Sequence, residues 1–148
     1  MSTPAEPPPP PEFGHFSLWV DQWLTKVISR RLLTGNREGT HSWCAQWWRH
    51  TEVCFRLAAL HQGWEEARAK GGSAMSSWCV YHLDPHMRIL LDAANGPMWR
   101  CIPEHHVGEQ TLPTEPVPER WFNSQDDEPR PPADAEVAVE VSDSSEQE

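Results

Sequence analysis

Trp43, Trp47, His50, Cys54, Leu57, His61 and Trp64 follow one another at steps of four and three residues. Such steps place side chains along one stripe only if the chain is helical, because 3.6 residues make a turn. Phe55, Ala58 and Leu60 widen the stripe, so the spacing predicts a long helix over Ser42–Lys70. Gly71-Gly72 ends it. Gly63 weakens the helix without stopping it, since one glycine costs only about 1 kcal/mol. A helix of that length with a tryptophan-rich face needs other elements to cover it.

Two further helices are expected to do so. Phe16, Trp19, Val20, Trp23, Leu24, Val27 and Ile28 share a face and predict a helix over Ser17–Leu33. Ser17 is the expected N-cap, and Arg30 and Arg31 sit where cations suit a helix C-terminus. A third helical region is expected over Ser76–Ala94, interrupted at Asp84-Pro85, because proline lacks a donor and disfavours a helical predecessor. Thr34–Gly39 and Gly71–Ser73 are short connections, which favour antiparallel neighbours. The fold class read from these patterns is all-α, a compact domain of three to four helices.

Proline and charge mark where that domain stops. Of 15 prolines, six fall in residues 1–12 and six in 107–148. Residues 12–106 carry ten Lys/Arg against nine Asp/Glu, whereas 107–148 carry two against twelve. The net charge of −10 is thus a property of the C-terminal segment. The expected division is a disordered proline-rich arm (1–12), a helical domain (13–106) and an acidic, mostly disordered tail (107–148). Eight of nine tryptophans fall between Trp19 and Trp99, and each can bury on the order of 200 Å². A domain of this size is near the limit at which one core suffices unaided, so a metal or a partner has room to matter.

No apolar run is long enough to span a membrane, and residues 1–11 lack the basic start and apolar stretch of a signal peptide. Four cysteines in such a chain read as free thiols or metal ligands in a reducing cytoplasm. Glycine-rich phosphate loops, nucleophile-elbow serines and H-E-x-x-H are all missing from the sequence. The expectation is therefore a protein without catalytic activity. Lys26, Arg30, Arg31 and Arg37 read as a solvated helix face, because the helical segment is nearly neutral and affinity for nucleic acid follows positive charge.

The constellation richest in ligand chemistry is His82-Leu83-Asp84-Pro85-His86 with Cys101-Ile102-Pro103-Glu104-His105-His106. Histidines at i and i+4 face the same way on a helix, and a C-x-x-x-H pair can grip the same ion. His82, His86, Cys101 and His105 would together supply the four N/S ligands of a closed tetrahedral zinc site. The competing reading makes the two histidines hydrogen-bonded structural residues and Cys101 a small core residue. His50, Cys54 and His61 read as core positions within the tryptophan stripe, their imidazoles neutral. Trp121-Phe122, isolated in an acidic stretch, either fold back on the helical domain or anchor a protein partner.

The order Trp47-Trp48-Arg49-His50-Thr51-Glu52, Arg56-Leu57-Ala58-Ala59-Leu60 and Trp64-Glu65 resembles an uncharacterised actinobacterial family. The resemblance continues through Trp78, His82, Asp84, His86, Gly96-Pro97, Cys101 and His105 to Leu112-Pro113 and Trp121-Phe122. It covers about residues 17–122 and departs from the family pattern at Thr51 and Met98. Members look like accessory proteins of plasmids, phages and integrative conjugative elements, and no catalytic residues carry over. The resemblance implies a cytosolic actinobacterial protein carried by a mobile element. The functional expectation set beside it is a binding or adaptor module without catalysis, with an unidentified protein partner. A metal-stabilised or metal-dependent protein acting on nucleic acid or nucleotide is the alternative.

Overall fold

Helix α1 opens one residue before its expected start, because His15 rather than Ser17 takes the cap. The His15 side chain accepts the Ser17 amide at 3.2 Å. The computed structural model describes residues 2–122, and α1 occupies residues 16–27 of these. It consists of Phe16–Trp19, a wider π turn at Val20–Leu24, and Thr25–Val27. It ends well short of Leu33, since Ile28 is extended (φ −83°, ψ 127°) and Leu32 forms an isolated bridge with His41.

Helix α2 runs Thr51–Lys70, preceded by a single 3₁₀ turn at Trp47–Arg49. The expected opening of this helix, residues 42–46, is not helical. Tertiary bonds claim that segment: the Ser42 amide donates to the Leu91 carbonyl at 2.9 Å, and the Cys44 amide points at Met98 Sδ, 3.4 Å away. His50, extended at φ −102° and ψ 114°, is the residue from which α2 starts. At the other end Gly71 takes φ +70°, which a residue with a side chain rarely adopts.

Helix α3 occupies residues 74–90 as Ala74–Trp78, a π turn at Cys79–Leu83, and Asp84–Leu90. The break expected at Asp84-Pro85 does not occur. The Asp84 amide reaches back five residues to the Cys79 carbonyl, and this widened turn carries the helix past the proline that cannot donate. The fold is thus all-α, with three helices and no β-strand among the described residues.

The core forms where α1, α2 and α3 meet. Trp19, Val20, Leu24, Val53, Leu57, Leu60 and Leu90 are almost wholly removed from water. Burial of a side chain such as Leu57 contributes roughly 1.5–3 kcal/mol. Four indoles pack together at one end: Trp19 stacks on Trp23 at 5.7 Å, Trp23 meets Trp64 at 5.2 Å, and Trp78 stands edge-on to Trp19 at 6.3 Å. Gly63 makes this possible. A Cβ there would lie 3.0 Å from the Trp78 ring, whose Nε1–H donates to the Leu60 carbonyl at 3.2 Å.

The proline-rich arm is fastened at its end. Glu65 on α2 accepts the amides of Glu12 and Phe13 at 3.0 and 2.9 Å, and Arg68 donates to the Pro10 carbonyl at 2.8 Å. The expected boundary at residue 12 falls inside this clamp. Residues through Gln110 form one compact unit and those from Thr111 a second. Within the second, the described residues contain neither helix nor strand; the Trp121 amide closes a turn on the Pro118 carbonyl at 3.1 Å. The disorder expected for 123–148 lies outside the described residues. No helix among the described residues is long and apolar enough to cross a membrane.

Candidate metal centre

Beyond α3 the chain doubles back on itself. The Cys101 amide donates to the Met98 carbonyl at 2.9 Å, and Ile102 and His105 exchange backbone hydrogen bonds of 3.2 and 3.0 Å. Pro103 and Glu104 form the tip, so Cys101 and His106 leave the turn on the same side. Opposite them lie Cys44, from the segment drawn out ahead of the 3₁₀ turn, and His50, at the start of α2. The four donor atoms of Cys44, His50, Cys101 and His106 all lie within 4.8 Å of one another.

Two of the donor-to-donor separations match the edges of a tetrahedral zinc site. Zn–S bonds of about 2.3 Å and Zn–N bonds of about 2.0–2.1 Å give ligand-to-ligand edges of about 3.4–3.8 Å. Cys44 Sγ lies 3.3 Å from His106 Nδ1, and Cys101 Sγ lies 3.5 Å from His50 Nε2. Three of the four residues are buried and His106 is half-buried. Two thiols and two imidazoles form one of the ligand sets that closed structural zinc sites use, with all four positions supplied by protein. Such a set would hold the turn after α3 against the beginning of α2.

Surrounding groups suit the same reading. The Val107 amide donates to Cys101 Sγ at 3.3 Å, and the Cys101 thiol donates to the Val107 carbonyl at 3.5 Å. His50 is fully buried, and its Nδ1 has no hydrogen-bond partner of good geometry. The group it faces is the carboxylate of Glu109, with Oε1 3.5 Å away. A carboxylate behind the outer nitrogen of a ligating histidine is the usual means of fixing its tautomer and ring orientation. Burial pushes the Cys44 thiol above its ordinary pKa and the His50 imidazole below its own, with His106 adding to the latter. A bound dication would reverse the first effect, since metal ligation requires the thiolate.

A family profile described as Domain of unknown function (DUF4913) matches residues 13–120. The chain belongs to that family. No curated protein and no solved structure matches it. The match spans both histidine–cysteine pairs of the cluster, so the centre lies wholly inside the DUF4913 domain.

The sequence-expected quartet is not what this DUF4913 domain gathers. Cys101 is in the cluster, but His82 is exposed on α3 and His105 is exposed on the turn. His86 accepts a hydrogen bond at Nδ1 from Arg56 Nη1 at 3.1 Å. Burial, with Arg56 and His82 adding, pushes the His86 pKa down. Among the described residues, Cys44, His50, Cys101 and His106 are the group of three or more potential ligands that converges. Cys44, His50 and His106 are therefore the residues the spacing argument missed. Their signal is a pair of C-x₅-H and C-x₄-H spacings, neither of which falls on a single helical face.

Proposed function

We propose that this chain is a non-catalytic binding module whose helical domain is held together by zinc. The observation that carries this reading is the buried cluster of Cys44, His50, Cys101 and His106. Its four donors are all supplied by protein, the ligand count of structural zinc sites, whereas catalytic sites use three and keep a position for water or substrate. The further expectation, an accessory role in an actinobacterial mobile element, is supported by the sequence resemblance. Trp121 and Phe122 remain the proposed contact for a protein partner, as large aromatics in an acidic setting.

Elemental analysis tests the reading directly. Protein purified without a histidine tag should carry about one equivalent of zinc, and Cys44→Ser with Cys101→Ser should carry almost none. Less than about a tenth of an equivalent in the parent protein would end the proposal. Affinity purification from an actinobacterial host should recover a specific protein that Trp121→Ala with Phe122→Ala loses. Salt-dependent DNA binding in place of such a partner would favour the alternative, a zinc-stabilised protein acting on nucleic acid.

A further inference from the structure

A cleft opens between the end of α1 and the outer side of α3. Its apolar lobe, about 240 Å³, is lined chiefly by Leu24, Ile28, Leu32, Trp43, Met87 and Leu91. Arg30, Met87 and Leu91 also line a neighbouring polar lobe of about 260 Å³, which His41, Asp84 and Arg88 complete. The two lobes are thus parts of one surface feature, with Arg30 where they join.

Charge gives the polar lobe its character. On α2, Arg56 pairs with Glu52 at 2.8 Å and Arg68 with Glu65 at 3.3 Å. Among the described residues, neither Arg30 nor Arg88 has a carboxylate within ion-pairing distance. Arg30 makes one hydrogen bond, from Nη1 to the Ser29 carbonyl at 2.8 Å, which leaves most of its donors free. Both arginines are exposed. Two forked guanidiniums beside an apolar hollow match a carboxylate next to a large apolar side chain.

Size and charge narrow the occupant. The apolar lobe has room for one or two side chains, and the arginines at its edge are exposed, so the cleft suits a segment lying along the surface. A nucleic-acid strand would be drawn by several neutralised phosphates, and this lobe sets only two guanidiniums against the Asp84 carboxylate. Resting on the binding-module reading above, we propose that this cleft docks an acidic peptide segment of a partner protein. The segment places a leucine-sized or larger apolar side chain in the apolar lobe and a neighbouring carboxylate on Arg30 and Arg88.

Trp43 lines the apolar lobe and reports on its occupancy through its indole N–H resonance in a ¹⁵N-labelled full chain. Four probes separate the alternatives: an acidic octapeptide with a central Leu-Phe, the same acids around Ala-Ala, a lysine-flanked Leu-Phe peptide, and an octamer of thymidylate. The acidic Leu-Phe peptide should shift the Trp43 signal most. Arg30→Glu with Arg88→Glu should weaken it by about tenfold or more and transfer the preference to the lysine-flanked peptide. Both sites are exposed, and circular dichroism checks the fold; if the double variant does not fold, Arg30→Gln and Arg88→Gln singly carry the same test. The proposal is overturned if no probe moves Trp43, if binding ignores the arginines, or if thymidylate moves the signal most. Zinc content does not depend on any of these outcomes, so failure here leaves the metal-centred reading to its own experiment.

Discussion

His50 meets three structural demands in one position. It begins α2, it is fully removed from water, and its two ring nitrogens face Cys101 on one side and Glu109 on the other. Its burial was legible in the stripe of Trp43, Trp47, Leu57 and Trp64, which marks the inner side of the element. Its chemistry was not, because Cys44 and His50 are six residues apart and would point in different directions on a continuous helix. Only a chain that becomes helical after His50 lets the two converge. Glu109, beyond the expected end of the helical domain, gave no sequence signal at all. Glu109→Gln keeps the shape and removes the charge behind His50, and zinc affinity measured against a chromophoric chelator should fall by about 10–100-fold. Unchanged affinity would remove Glu109 from the centre.

The elements show where periodicity is informative and where it yields to tertiary bonding. All three helices were legible because each presents a continuous apolar face. Their ends were not. Ser42–Gln46 fit the helical pattern, yet Leu91 and Met98 offer that segment better partners, and Pro85 is tolerated because α3 widens by one residue ahead of it. The clamp on the proline-rich arm shows a similar dependence on partners. Burial alone would raise the Glu65 pKa, but the amides of Phe13 and Glu12, with His61 and Arg68, outweigh it and bring it below the ordinary value. A carboxyl that holds its proton less tightly when folded contributes stability above the ordinary carboxylate pKa of about 4.3 and loses it as pH falls further. Glu65→Gln should therefore cost about 1–3 kcal/mol at pH 7 and less at pH 3, giving a melting curve less steep in acid than the parent. An equal loss at both pH values would show that the clamp works by shape rather than charge.

At the scale of the molecule, Cys44 and His106 lie 62 residues apart in sequence, and their side chains meet within 3.3 Å. No local pattern announces such a pairing, and the ligands therefore emerge only once the helices are placed. The same separation would make a bound ion a fastener between the start of α2 and the turn after α3. An ion that binds the folded form alone adds about 1.4 kcal/mol for each tenfold rise in its free concentration above the dissociation constant. The melting temperature in zinc buffers should then rise by roughly 5–10 °C per decade of free zinc. A flat response would mean that the cluster holds no ion of consequence. In a cell, folded and unfolded chains are continuously sorted by proteases, and a difference of about 1–2 kcal/mol changes abundance several-fold. The amount of this protein would then follow the zinc supply of its host without any change in transcription, so that metal starvation would silence it by turnover.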